Sequence, residues 1–561
     1  MDLWVAVGTL WDQASDGEAG FAAARASHLI GSTDDPIERA FLLGERALCE
    51  LLLCRYADAT RTALASAEVA AGATGELAAD ARYFAASVRL VAAGMLEPEV
   101  TGVEFTVPFT PLAELQEYAR GLDRARPEVL LLLFPVVEAC MSSGRFQEVE
   151  DLVTGVTPYR DSDSTYSRVI VPFLELLVAR SLAFRGEIAA MAARCDALLA
   201  QPSMAAHPQS AMLAGALLCY GAGQRADRHA VESTAADVLA EARRGVNYVT
   251  VGACLLLTWA FSAIGQIQRA SSLLLAAAGG PALPRIKTWD KSFGYELLVT
   301  AALRRGDLPA ARRWAALAAP LAAQPVAAAA VERTMSRLAV ADGDHEDAAN
   351  HAEESARLDA ESGARLEHLR SRVLNATALA AAGRRHMAIR ILAEIAERAD
   401  AIGATAVRKL AAREWRLLTA SGAGADGGFA SLSDREREIA ILVAEGHTNR
   451  SIGSTLFLSE RTVQTHLSRI LNIMGLPSRT AIPAALGVGT EAVEAPPLTG
   501  RQEQIAALVA RGFGNATIAE ELGISVKTVE NHLASIFDRW QVASRTAVAN
   551  LWVASQRTIA P

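Results

Sequence analysis

The sequence predicts an all-α protein: a long helical solenoid followed by two small helical domains. Three observations carry this reading. Residues 1–420 are alanine-rich and poor in strand signals, in a chain of 561 residues that is 51% hydrophobic and 6% aromatic. Glycines recur there as Gly144, Gly186, Gly223, Gly265, Gly306, Gly343 and Gly383, spaced 37 to 42 apart. Near the C-terminus one sequence is written twice, residues 432–482 being matched without a gap by 498–548 at an offset of 66. Self-similarity at a fixed period marks repeated structural units.

In residues 1–420, stretches such as Leu298–Ala323 and Ala376–Ala401 have the apolar spacing of amphipathic helix. Five residues after several of the glycines stands an alanine: Ala270, Ala311, Ala348 and Ala388. Glycine permits the tight turn between antiparallel helices, and the small alanine lets them approach closely. Arg55-Tyr56-Ala57 marks an earlier turn of the same kind. This pattern resembles the tetratricopeptide repeat, with a period nearer 40 than the usual 34 because the helices are longer. Stacked helix pairs bury a continuous core and present a concave surface, which suits a protein, peptide or small-molecule effector. The plainer alternative is a scaffold that only spaces or dimerises the two small C-terminal domains.

Residues 421–431, SGAGADGGFAS, divide the halves. Gly422, Gly424 and Gly427 have the letters of a dinucleotide fingerprint, but helix rather than strand precedes them, so the segment reads as a linker.

The repeated units are expected over 432–484 and 497–557, joined by residues 485–496. Each opens on a capping box, Ser433 with Glu436 and Thr499 with Gln502. Ile439, Leu442 and Val443, or Ile505, Leu508 and Val509, follow at helical spacing. Gly446 and Gly512 are placed to end that helix in the left-handed conformation. Asn449 and Asn515 suit the cap of a second short helix carrying Ile452 and Leu456, or Ile518 and Leu522. Ser459 and Ser525 would cap a third, which buries Val463, Leu467 and Ile470, or Val529, Leu533 and Ile536. Two short helices joined by a tight turn, the second with an outward polar face, describe a helix-turn-helix.

From LSDREREIAILVAEGHTNRSIGSTLFLSERTVQTHLSRILNIMGLPSRT and its copy at 498–546, each unit resembles the LuxR-type helix-turn-helix over its whole length. The resemblance implies a bacterial transcription regulator that binds double-stranded DNA, with RNA polymerase a further candidate partner and activation the expected sense. The whole chain is similar to the C-terminal half of the large ATP-binding LuxR-family regulators, without their phosphate loop. A homodimer is a further candidate assembly.

A recognition helix offers its outward residues to base edges in the major groove. In copy one these are Gln464, Thr465 and Ser468, and in copy two Glu530, Asn531 and Ala534. Gln and Asn can pair with adenine, Glu accepts from cytosine, and Thr and Ala touch the thymine methyl. Backbone grip is expected from Arg461, Thr462, Arg469 and Arg479, and from Lys527, Thr528 and Arg545. A solvated helix face is the bland alternative for the reading residues, and capping or pairing with an acid for Arg479 and Arg545. His466 and His532 read as packing residues. The two reading faces differ, so the copies are expected to prefer different half-sites.

Charge adds little. Residues 432–482 hold six arginines against five acids, and 498–557 six basic residues against five acids. Affinity without sequence preference should be modest. This near-neutrality motivates a rival reading, an interaction scaffold whose helix-turn-helix units mediate oligomerisation. The formal charge of −9 lies almost wholly in residues 1–420, a region unsuited to nucleic acid.

No enzyme motif is found: no Gly-Lys-Ser/Thr loop, no His-Glu-x-x-His, no Gly-x-Ser-x-Gly. The protein is expected not to be an enzyme and to need no cofactor. Cys49, Cys54, Cys140, Cys195, Cys219 and Cys254 lack metal spacing and read as core thiols. The acidic run Asp342–Asp347 reads as solvated helix caps rather than a metal site. Met1-Asp2-Leu3-Trp4 lacks the basic region of a signal peptide, and no apolar run has membrane length, so a cytoplasmic location is expected.

Overall fold

In a computed structural model the protein is all-α, and no strand occurs among the described residues. The structure describes residues 18–94, 110–154, 165–420, 429–486 and 496–552, less positions 76, 124, 125, 127, 203, 205, 206, 430, 431, 475, 477, 478, 480, 481, 497, 511, 512, 514, 541, 543, 544, 546 and 550. The glycine fingerprint at 422–427 lies outside these. Backbone contacts divide the chain into two units, Met1–Ala411 and Ala412–Pro561.

The first unit is a run of helical hairpins. The best-formed stretch has helices His345–Glu361, Arg365–Ala381 and Arg385–Ala401, each of 17 residues. Gly363 and Gly383 stand between them, Gly343 just before the first and Gly403 just after the last, all with φ between 69° and 85°. That conformation is open to glycine and disfavoured for other residues. A helix and its turn thus take 20 residues and a pair takes 40, which accounts for the long period. The two amphipathic stretches noted in the sequence are each two helices broken at such a glycine, Gly306 or Gly383. Ala270, Ala311, Ala348 and Ala388 are all fully buried. Asp344 caps its helix by accepting from the Asp347 amide at 3.1 Å, as the solvated-cap reading of that acidic run expected.

One glycine behaves differently. Gly223 lies inside the helix Pro208–Gln224, and a Cβ there would come within 2.8 Å of the Ala260 backbone. It serves close helix approach, and the left-handed turn residue is Ala226, with φ 56°. The earlier turn falls at Cys54, φ 57°, just before the helix Tyr56–Ala71. Five of the six cysteines are buried, and burial pushes the thiols of Cys140 and Cys254 up to about 11.

The hairpins do not contact only their neighbours, as an open solenoid would. Tyr56 Oη donates to the carbonyl of Arg285 at 2.6 Å, across 229 residues of sequence. Arg370 donates to Gln224 Oε1 at 3.0 Å across 146 residues. At Gly144 an added Cβ would meet Val326, and at Gly186 it would meet Ile402. The superhelix is wound tightly enough that distant hairpins touch. Trp289, Lys287 and Arg333 are buried among the hairpins, each at most 2% exposed. Arg333 is held there by Glu296, Asp359 and Glu367 at 2.9–3.2 Å.

The second unit holds the two copies, each with its own core. Copy one packs helices Asp434–Ala444, Asn449–Leu456 and Glu460–Met474 around Ile439, Val443, Ile452, Val463, Leu467 and Ile470. Copy two packs Gly500–Ala510, Asn515–Leu522 and Val526–Trp540 around Ile505, Val509, Ile518, Val529, Leu533 and Ile536. These are the positions that helical spacing selected. Among the described residues no helix is long and apolar enough to cross a membrane.

Candidate nucleic-acid interface

The cap of each first helix sets the frame. In copy one the Ser433 amide donates to Glu436 Oε2 at 2.9 Å, and the Glu436 amide donates to Ser433 Oγ at 3.4 Å. The Ser433 hydroxyl, bonded to the same carboxylate, holds Glu436 below the usual carboxylate range. In copy two Thr499 and Gln502 make the same two backbone bonds, at 3.0 and 3.4 Å.

Gly446 ends the first helix with φ 89°, as its place in the sequence required. Gly512 lies outside the described residues. The cap of the second helix in copy one is Thr448, whose hydroxyl accepts from the Ser451 amide at 3.2 Å, and not Asn449. Asn449 is instead the first residue inside the helix. Its side-chain oxygen accepts from Arg479, and its Nδ2 donates to Gln464 Oε1 at 2.8 Å.

The turn into the recognition helix is tight. A Cβ on Gly453 would lie 2.6 Å from the Leu458 carbonyl oxygen. The left-handed residue of this turn is Phe457, φ 56°, in copy one and Gly523, φ 61°, in copy two. Ser459 and Ser525 then cap the recognition helices, each accepting from a threonine amide, Thr462 or Thr528, at 3.0 Å.

Along both recognition helices the burial pattern is the same. Val463, Leu467 and Ile470 are buried while Gln464, Thr465, Ser468 and Arg469 are exposed. Val529, Leu533 and Ile536 are buried while Glu530, Asn531 and Ala534 are exposed. His466 and His532 are half-buried at the flank. Each helix thus presents a short, mostly polar exposed face, on which Gln464 accepts from Asn449 and Glu530 pairs with Lys527. The hydroxyls of Thr465 and Ser468 donate back to the Arg461 and Gln464 carbonyls, at 3.0 and 3.1 Å, leaving their lone pairs outward.

The residues expected to grip phosphate separate into two groups. Arg461 and Lys527 are exposed beside the helix starts. Lys527 reaches Glu530 at 3.3 Å, a surface pair that exchanges readily for another partner. Arg469 is exposed but lies 3.1 Å from Glu436 Oε1, linking the recognition helix to the first cap. Thr462 and Thr528 are half-buried, with hydroxyls bonded to Ser459 and Ser525 at 2.8 and 2.7 Å.

Arg479 and Arg545 point inward. Arg479 donates to the Asn449 side chain and to the His447 carbonyl. Arg545 donates to Asn515 Oδ1 at 2.6 Å and to the Phe513 carbonyl. Both are half-buried, and burial lowers the pKa of each guanidinium below the usual arginine value. They clasp the segment leading into the second helix. The alternative of pairing with an acid is not what the structure shows, since the partners are an amide side chain and a carbonyl.

A matching strut braces the other end of the second helix in each copy. Arg435 donates to the Leu456 carbonyl, and Arg501 donates to the Leu522 carbonyl at 2.6 Å. The signal was available: Arg435 and Arg501 are identical positions of the two copies. So are Asn449 and Asn515, and Arg479 and Arg545. The copies agree at their internal struts and differ on their outward faces.

Comparison with known proteins agrees with this geometry. The family described as bacterial regulatory proteins, luxR family, matches residues 430–484 and again 496–552. A putative HTH-type transcriptional regulator of Mycobacterium tuberculosis, Rv0890c, is 47% identical over 55 residues, 10% of this chain and 6% of that protein. The transcriptional regulatory protein LiaR of Bacillus subtilis is 48% identical over 50 residues, 9% of this chain and 24% of that protein. The DNA-binding transcriptional activator DevR/DosR of Mycobacterium tuberculosis is 41% identical over 52 residues, again 9% and 24%. The chain spans a quarter or less of the length of each of these relatives, and the likeness is confined to one helical unit. The C-terminal part of the chain therefore carries two LuxR-type helix-turn-helix domains.

Proposed function

We propose that the protein is a sequence-specific DNA-binding transcription regulator whose tandem domains read adjacent half-sites in the major groove. The observation that carries this is the equivalent placement of Gln464, Thr465 and Ser468 and of Glu530, Asn531 and Ala534. Both triplets lie on the exposed face of a capped recognition helix, in a domain matched to a family of bacterial regulators. Arg461, Arg469 and Lys527 supply phosphate contacts beside them. Arg479, Arg545, Thr462 and Thr528 act mainly by holding the helices at the angle that reading requires. The helical-repeat region is the sensor or partner-binding platform, in a cytoplasmic protein.

The tether limits the geometry. Residues Ile482–Ala485 are helical and Pro496 accepts from Trp540 Nε1 at 2.9 Å. The stretch from Leu486 to Pro496 then spans at most about 35 Å when fully extended. Half-sites one helical turn apart lie about 34 Å from each other. One chain can serve adjacent half-sites, and a spacing of two turns is out of reach.

The test is to alter one face at a time in the full-length chain and select sites from random duplex DNA. Gln464→Ala with Thr465→Ala should erase one half of a two-part consensus, and Glu530→Ala with Asn531→Ala the other. A consensus unchanged by both double variants would refute groove reading by these helices. The oligomerising-scaffold reading draws on the near-neutral charge of both domains. It predicts weak DNA binding with no sequence preference at any salt concentration.

A further inference from the structure

The helical-repeat unit contains a partly open cavity between its hairpins. It is framed by the helices Val129–Ser142, Thr165–Phe184, Pro208–Gln224 and Tyr248–Ala263, and closed by the segment leading into Thr288–Arg304. Most of its wall is apolar, supplied by Phe134, Phe173, Leu177, Leu213 and Leu256 among others. An apolar wall with a few convergent polar groups is typical of sites for small molecules.

Its polar end is unusual. Lys287, 2% exposed, lines the cavity and pairs with Glu138, 3% exposed. Glu138 also accepts from Tyr248 Oη at 2.9 Å. An ammonium has three donors, and among the described residues Glu138 is the carboxylate paired with Lys287 Nζ. Arg180 is spent on Asp290, donating to both carboxylate oxygens at 3.1 and 3.2 Å. Arg285 also lines the cavity, and among the described residues no carboxylate pairs with it. Three cations thus face two carboxylates. Burial lowers Lys287 to about 8, and the neighbouring Asp290 carboxylate acts in the opposite sense.

We infer that this cavity binds a small apolar molecule carrying a single anionic head, its tail among the leucine and phenylalanine side chains and its head on Lys287 and Arg285. The inference deepens the sensor reading of the repeat region and rests on that reading for its purpose. The head would supply the missing negative charge and a further acceptor for the Lys287 ammonium beside Glu138. A cationic head would meet the surplus positive charge, and a burial that costs without compensation.

Gly252 gives a clean block. It lines the cavity on the helix Tyr248–Ala263, and a Cβ built there meets nothing within 4 Å. Gly252→Leu therefore places its Cβ without a clash, and its side chain is expected to take up part of the cavity away from Lys287. The experiment is calorimetric titration of the full-length chain with decanoate, and with decylamine as its cationic counterpart. Decanoate should bind with a dissociation constant of roughly tens to hundreds of micromolar, in line with the efficiency of ligands this small. Decylamine should bind at least about tenfold more weakly, the loss expected for a like-charged head. Gly252→Leu should abolish decanoate binding, and Lys287→Met should weaken it while leaving decylamine no weaker. No decanoate binding at millimolar concentration would overturn the inference. So would equal binding of decylamine, or decanoate binding unaffected by Gly252→Leu. Decanoate binding in a chain that selects no DNA site would sink only the transcription reading. DNA selection without decanoate binding would sink only the cavity.

Discussion

Arg479 and Arg545 carry the prediction that most sharply separates two roles for one residue. Each donates to an asparagine side chain and to a backbone carbonyl two residues before it. A hydrogen bond from a charged group contributes about 1.5–3 kcal/mol when well buried. Both guanidinia are only half-buried, and water can replace part of what is lost, so Arg479→Met should cost copy one about 2 kcal/mol in all. That corresponds to a fall of about 30-fold in the local stability constant. Hydrogen exchange followed by mass spectrometry on the full-length chain reads this directly, since amides of the helices exchange through local opening. Peptides from 434–456 should lose protection in Arg479→Met, while those from 500–522 stay unchanged as an internal control. Arg545→Met should do the reverse. If these arginines serve chiefly to grip phosphate, protection will be unchanged in both variants. The salt dependence of DNA binding will then fall by about 0.9 in slope per lost contact, and the clasp account will be wrong.

Other outcomes are expected from the same geometry. Gly523→Ala places a Cβ at φ 61° in open space. The left-handed penalty of about 1–2 kcal/mol, less about 0.4–1 kcal/mol from a stiffer unfolded chain, should destabilise copy two by about 1 kcal/mol in urea unfolding. Glu436 is held below the usual carboxylate range, so its cap stabilises copy one above the unfolded carboxylate pKa and is lost as pH falls through the folded value. Protection of copy one should therefore decline as pH falls below the free glutamate value of about 4.3, and Glu436→Gln, the residue type of Gln502, should remove that part of the decline. Exchanging Gln464-Thr465 for Glu-Asn should move one half of the selected consensus toward the other, with about 1–3 kcal/mol of discrimination per base pair. An unmoved consensus would assign specificity elsewhere.

Much of the protein was legible because the period of its apolar residues is the period of its helices. Val463, Leu467 and Ile470 could be placed in a core, and Gln464, Thr465 and Ser468 outside it, from spacing alone. The turn glycines were legible for a related reason, since Gly343 or Gly383 stands where a left-handed residue is needed. Gly223 misled because a glycine can also serve close helix packing, and sequence spacing does not distinguish the two. Asn449 misled because Thr448 beside it is an equally good cap, freeing the asparagine for Arg479. The inward turn of Arg479 and Arg545 was hidden, since a basic residue near a DNA-reading helix satisfies both roles equally well on paper. The cavity was invisible because Glu138, Arg180, Tyr248 and Lys287 meet only through tight winding of the repeats.

The most direct measurement is selection of binding sites from random duplex DNA with the full-length chain, followed by titration against salt. The account predicts a two-part consensus with half-sites about one helical turn apart, and specific affinity that falls as salt rises. Lengthening the gap by a further full turn should remove the gain from the second half-site, because the tether cannot span it. Enrichment of no sequence at any salt concentration would contradict the claim that these two domains read DNA.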